Sequence, residues 1–141
     1  MGSGIARAAT NIKTGRGGLV DADFVAQTAQ LIFGGDDTSF RGAGTRNIME
    51  KLKTMAVVPS GVPEDLLSSY DLLRDVQTAL RIQDERARNQ LPTEAVEWAV
   101  LAQLLGFETT HSAQTAIEEK MDQMRAAYDE AMDALADGLT R

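Results

Sequence analysis

The sequence predicts an all-α protein, an up-and-down helical bundle of four longer helices plus one short helix. Three observations carry that expectation. Apolar residues recur every three or four positions in five separate segments, the spacing that places them on one side of a helix. The interruptions between those segments are helix stops and starts, among them Gly34-Gly35, Pro59-Ser60-Gly61 and Gly106. No segment alternates apolar and polar residues in the strand manner, and Val57-Val58 is too short to count as one.

Taken in order, residues 1–18 hold five glycines and three basic residues without a sustained apolar period, which predicts a flexible lead-in. A first helix begins at Leu19, with Phe24, Thr28, Leu31 and Ile32 marking its period and Gly34-Gly35 ending it. Ile48, Leu52 and Met55 mark a short second helix. Pro63 suits a first helical turn, Glu64 and Asp65 complement its dipole, and Leu66, Tyr70, Leu73, Val76 and Leu80 form a long stripe that predicts a third helix to about Arg86. Leu91-Pro92-Thr93 opens a short, strongly apolar fourth helix with Trp98, Leu101 and Leu105 on one face. The fifth follows Thr109-Thr110, and its line Ile117, Met121, Met124, Tyr128, Ala131, Leu135 alternates spacings of four and three like a coiled-coil seam. That seam fits either the bundle interior or a self-associating surface. The bundle is expected over residues 19–137, with a tail at 138–141.

The 141 residues suffice for one ordinary core, so one domain is expected. The absence of cysteine excludes disulfides and thiolate metal sites and is compatible with a reducing compartment. No apolar run approaches the roughly 20 residues a membrane span needs, and the start lacks a signal core, so a soluble, cytoplasmic protein is expected. Residues 1–54 carry seven Lys or Arg against five Asp or Glu, while the remainder carries seven against sixteen. Such acidity repels phosphate backbones and argues against broad nucleic-acid binding.

Three features stand out as candidate chemistry. Lys13-Thr14-Gly15-Arg16-Gly17-Gly18 leads straight into a helix, where unpaired amides with Arg16 and Lys13 suit a phosphate or carboxylate; the spacing alone favours a basic linker, and the run is not a P-loop. Asp21 and Asp23 lie two apart and so face different ways, whereas Asp23 and Gln27 share a face; both acids also suit a helix start through its dipole. Arg74, Gln77 and Arg81 form a polar stripe on the third helix, fit either to pair with Asp23 across the bundle or to stay solvated. The lone His111 has no Glu-x-x-His partner and belongs to a helix start, so a metal site is not expected, and no serine sits in a nucleophile-elbow setting.

The run from Arg16 to Gln27, Arg-Gly-Gly-Leu-Val-Asp-Ala-Asp-Phe-Val-Ala-Gln, resembles a signature of the glutamine synthetase adenylyltransferases. Leu31-Ile32-Phe33-Gly34-Gly35, Tyr70 with Leu73-Arg74, Leu80, Asp84-Glu85, Leu91-Pro92 and Leu101-Ala102 with Leu105-Gly106-Phe107 follow in the same order, and the resemblance covers about residues 12–135. It extends to the helical domain of PII uridylyltransferase. It implies a helical bundle that follows a nucleotidyltransferase domain, in enzymes that add adenylate to a tyrosine of glutamine synthetase or remove it under control of glutamine and a PII protein.

On that resemblance Arg16, Gly17, Gly18, Asp21, Asp23 and Gln27 would line a domain interface or contact nucleotide. No Gly-Ser followed by an Asp-x-Asp pair lies upstream of the Arg16 to Gln27 signature in this chain, so it is expected to be inactive alone. ATP and magnesium are implied only for the missing catalytic domain, whose carboxylates would hold the metal. Asp23 stands where Glu is usual, and Gln77 where Glu is frequent. The implied partners are a nucleotidyltransferase domain, glutamine synthetase or a PII-type protein; the alternative is a free-standing module that docks on a nitrogen-regulation partner, its acidity selecting a basic surface.

Overall fold

The computed structural model describes residues 10–87 and 89–139. Among these, five α-helices and two single 3-10 turns make up the regular structure: α1 Leu19–Phe33, a turn at Thr38–Phe40, α2 Thr45–Met55, α3 Val62–Gln83, a turn at Glu85–Ala87, α4 Ala95–Leu105 and α5 Thr110–Leu139. The only β pairing among the described residues is an isolated antiparallel bridge between Asn11 and Gln90. The all-α bundle expected from periodicity is the observed fold, with α2 and α4 both 11 residues long beside helices of 15, 22 and 30.

Helices α3 and α5 form the central pair; α1 and α4 lie on both of them, and α2 bridges α1 and α3. The long stripe of α3 is buried at Leu66, Leu73, Val76 and Leu80, and Tyr70 is half-buried. The α5 seam is buried at Ile117, Met121, Met124, Ala131 and Leu135, so it is consumed by the interior of the bundle. A polar seam runs between the same helices: the Gln123 amide donates to Asp65 Oδ1 at 2.8 Å and Ser69 Oγ donates to Gln123 Oε1 at 3.3 Å. Leu73, fully buried at the centre of α3, makes one expectation concrete: Leu73→Ala should lower stability by about 2 to 5 kcal/mol in a denaturant melt.

Helix α1 turns a different side inward than its bulky residues predict. Leu19, Ala22, Val25, Ala26 and Ala29 are buried, while Phe24 and Leu31 are exposed. The buried side holds three alanines, small residues that let helices pack closely, where a Phe or Leu would hold neighbouring helices apart. The fourth helix also starts later than expected. Leu91 and Pro92 are buried in the loop before α4, where the Leu91 N–H donates to the Thr10 carbonyl, so they pack rather than open a helix. The third helix stops at Gln83, because Asp84 is extended and its carboxylate accepts from the Arg86 N–H.

Within the lead-in expected over residues 1–18, positions 1–9 lie outside the described residues, but Thr10 to Gly18 form a strap seated on the bundle. Ile12 is fully buried, and its N–H donates to the Asn89 carbonyl at 2.8 Å. The Asn11 side chain accepts from the Lys13 and Thr14 amides, which curls the strap toward α1. At the other end α5 continues through Gly138 and Leu139, into the expected tail, whose last two residues lie outside the described ones.

Candidate functional site

The strap meets α1 at Arg16-Gly17-Gly18. Gly17 has a φ of +78°, and a Cβ placed there would stand 2.0 Å from the Met121 carbonyl oxygen on α5. A Cβ on Gly18 would come within 2.7 to 2.9 Å of the carbonyl oxygens of Ile12, Lys13 and Gly15. The close backbone approach for which the glycines are suited is therefore made to the protein's own α5 and strap.

The amides at the start of α1 are spent in the same way. Gly18 donates to the Gly15 carbonyl, Leu19 to Ile12, Val20 to Lys13 and Asp21 to Gly18, at 2.8 to 3.1 Å. The Gly17 N–H donates to Asp21 Oδ2 at 2.8 Å. A phosphate or carboxylate at this helix start would draw on free amides, and these five are engaged within the chain, which leaves the exposed side chains of Lys13 and Arg16 as the donors that reading named.

Asp21 is thus a brace for the turn. Its carboxylate also faces Arg125 of α5, with Nη1 to Oδ2 at 3.4 Å, both side chains largely buried. The Arg125 guanidinium stands 4.6 Å from the Tyr128 ring centre, and its Nε lies 3.4 Å from Asp129 Oδ1. The Tyr128 ring in turn lies 6.4 Å from that of Phe24. Arg125 is a member of this cluster that the sequence reading passed over, its local signal being the Arg125, Asp129 pair four apart, and Tyr128 was read only as part of the α5 seam.

Asp23 does not form a site with Gln27. Its Oδ1 accepts from Thr45 Oγ1 at 2.7 Å and so ties α1 to the start of α2. The stripe on α3 also divides. Gln77 is buried and its amide donates to Asn89 Oδ1 at 2.8 Å, which holds the loop that receives the strap. Arg74 and Arg81 are exposed, and Arg74 bonds to Tyr70 on its own helix. None of the three reaches Asp23.

Two of the six residues at the turn face solvent, Arg16 and Gln27. Gln27 sits in a line with Val20, Phe24 and Leu31, at spacings of four, three and four along the outer side of α1. Val20 is 40%, Phe24 46% and Leu31 86% exposed. A bulky apolar row of this kind on the outside of a helix is surface that folding of this domain leaves uncovered. His111 is exposed in the first turn of α5.

Fold and turn together define a class, that of all-α bundle domains whose first helix is pinned through a Gly-Gly turn to the longest helix. Residues 3–136 match the family described as GlnD PII-uridylyltransferase. The bifunctional glutamine synthetase adenylyltransferase/adenylyl-removing enzyme of Neisseria meningitidis serogroup A is 37% identical over 101 residues, 72% of this chain and 11% of the relative. The enzymes of the same name from Rhizobium meliloti and Burkholderia mallei are 31% identical over 84% and 94% of the chain, which are 12% and 14% of their own lengths. The chain belongs to this family and corresponds to the helical domain of the adenylyltransferase branch. It spans roughly a tenth to a seventh of the length of those relatives. Among the described residues no helix is long and apolar enough to cross a membrane.

Proposed function

We propose that this chain is the noncatalytic helical domain of an adenylyltransferase that modifies glutamine synthetase, and that it supports adenylyl transfer and removal by docking on a nucleotidyltransferase domain through the outer side of α1. The observation that carries the reading is the exposed row Val20, Phe24, Gln27, Leu31, headed by Arg16. Gly17, Gly18, Asp21 and Asp23 then serve that surface indirectly, by fixing where α1 lies on α5 and α2.

In this reading ATP and magnesium belong to the nucleotidyltransferase domain, and glutamine synthetase or a PII-type protein is met by the assembled enzyme. This chain supplies orientation and a covered interface.

The chain alone, mixed with ATP, magnesium and glutamine synthetase, is expected to transfer no adenylate. With a nucleotidyltransferase domain from one of the relatives it should form a complex by calorimetry. Phe24→Asp should weaken that complex by about tenfold or more, equal to roughly 1.4 kcal/mol, while leaving the thermal melt close to that of the parent. Robust transfer by the chain alone, or equal binding by the variant, would reject the reading.

A further inference from the structure

Two side chains of α5 reach the outer side of α1. Arg125 and Tyr128 stand three apart on one side of α5, both half-buried beside the buried Met121 and Met124. Phe24 of α1 is 46% exposed, and its ring meets that of Tyr128 at 6.4 Å between centres, tilted by 40°. An exposed side chain moves between staggered rotamers unless a neighbour selects one, and here the neighbour is Tyr128.

The Tyr128 ring is itself placed by the Arg125 guanidinium, 4.6 Å from its centre, a cation drawn to the ring face. Two carboxylates orient that guanidinium: Asp21 Oδ2 lies 3.4 Å from Nη1 and Asp129 Oδ1 lies 3.4 Å from Nε. Asp21 belongs to α1 and also accepts from the Gly17 N–H at 2.8 Å. The contacts of Arg125 therefore return to α1 at two places about one helical turn apart, Asp21 at the Gly-Gly turn and Phe24 on the outer row. Stability gives little account of this arrangement. Ion pairs that keep contact with solvent add little to folding, and the Arg125 side chain is 29% exposed. Its Nε is buried and makes no hydrogen bond among the described residues, a cost that a guanidinium turned to water would not bear.

We propose that Arg125 is a positioning residue for the outer side of α1. It holds the Tyr128 ring against Phe24 and, through Asp21, the turn that heads the same helix, and so sets how this side is presented to a nucleotidyltransferase domain. What the face meets rests on the docking reading given above; the placing of Phe24 does not.

The test uses the whole chain, alone and with a nucleotidyltransferase domain from one of the relatives. In the chain alone, nuclear Overhauser cross-peaks are expected between the Phe24 and Tyr128 rings, assigned by their disappearance in Tyr128→Leu. Arg125→Met, which keeps an apolar stem, should weaken these cross-peaks while the thermal melt stays close to that of the parent. In calorimetry with the partner domain, Arg125→Met and Tyr128→Leu should each weaken binding by about threefold or more, the scale of one cation–π contact. The double variant should bind no worse than the weaker single one, because the two residues act in series. Tyr128→Phe keeps the ring and should restore parental affinity. Intact cross-peaks in Arg125→Met, or losses that add in the double variant, would overturn the proposal. Parental affinity in Arg125→Met beside weakened binding in Phe24→Asp would also overturn it and leave the docking reading standing. Parental affinity in Phe24→Asp would remove the docking reading, and the cross-peaks would still decide whether Arg125 places Phe24.

Discussion

Gly17→Ala is expected to destabilise the bundle by roughly 2 to 6 kcal/mol, a large effect for one methyl group on a loop. Two costs add. A non-glycine residue held in the left-handed region costs on the order of 1 to 3 kcal/mol, and the new Cβ has nowhere to go, because the Met121 carbonyl would be 2.0 Å away. Overpacking of this kind costs a further 1 to 3 kcal/mol or so, released only if the strap lifts from α5. Lifting would break the Gly17 bond to Asp21 and move the Asp21 carboxylate away from Arg125. Urea unfolding followed by circular dichroism measures the loss. A melt within error of the parent would mean that the turn is not seated on α5.

Met124→Glu should abolish folding at neutral pH. Met124 is fully buried on α5, in the seam shared with α3 and α1. An uncompensated buried charge costs roughly 3 to 5 kcal/mol, to which the lost packing adds, against a total stability of about 5 to 15 kcal/mol for an ordinary domain. The far-ultraviolet spectrum should lose its helical minima. A helical monomer with an unchanged melt would instead place the seam on the surface and revive self-association through it.

The helices were legible because each has a period of three to four residues and an abrupt end. The side each helix buries was harder to read. On α1 the bulky residues gave the louder signal, yet the buried side includes Ala22, Ala26 and Ala29 beside Leu19 and Val25, and the value of small residues there lies in how near they allow neighbouring helices to come. Glycine content made residues 10–18 look loose for the same reason: a residue without a side chain marks either freedom or crowding, and only the position of Met121 decides between them.

The polar residues show the same limit. Asp21 and Asp23 stood out locally, but their partners Arg125 and Thr45 lie 104 and 22 positions away. Gln77 was read with Arg74 and Arg81 because the three share a spacing. What separates it is Asn89, on a loop whose place no helical period foretells. The signature from Arg16 to Gln27 carried the family, and its residues divide between the inner and outer sides of α1 in a way visible only once α5 is in place.

The strap has a consequence for where this unit can be severed from a longer polypeptide. Helix α1 begins at Leu19, but its opening amides are satisfied by carbonyls at Ile12, Lys13, Gly15 and Gly18. Scission just ahead of the helix would strip away Ile12, bare the loop that Gln77 and Asn89 hold, and leave hydrogen-bond donors stranded at the new terminus. The unit that can stand by itself is longer than its helices: the incision has to fall before Thr10.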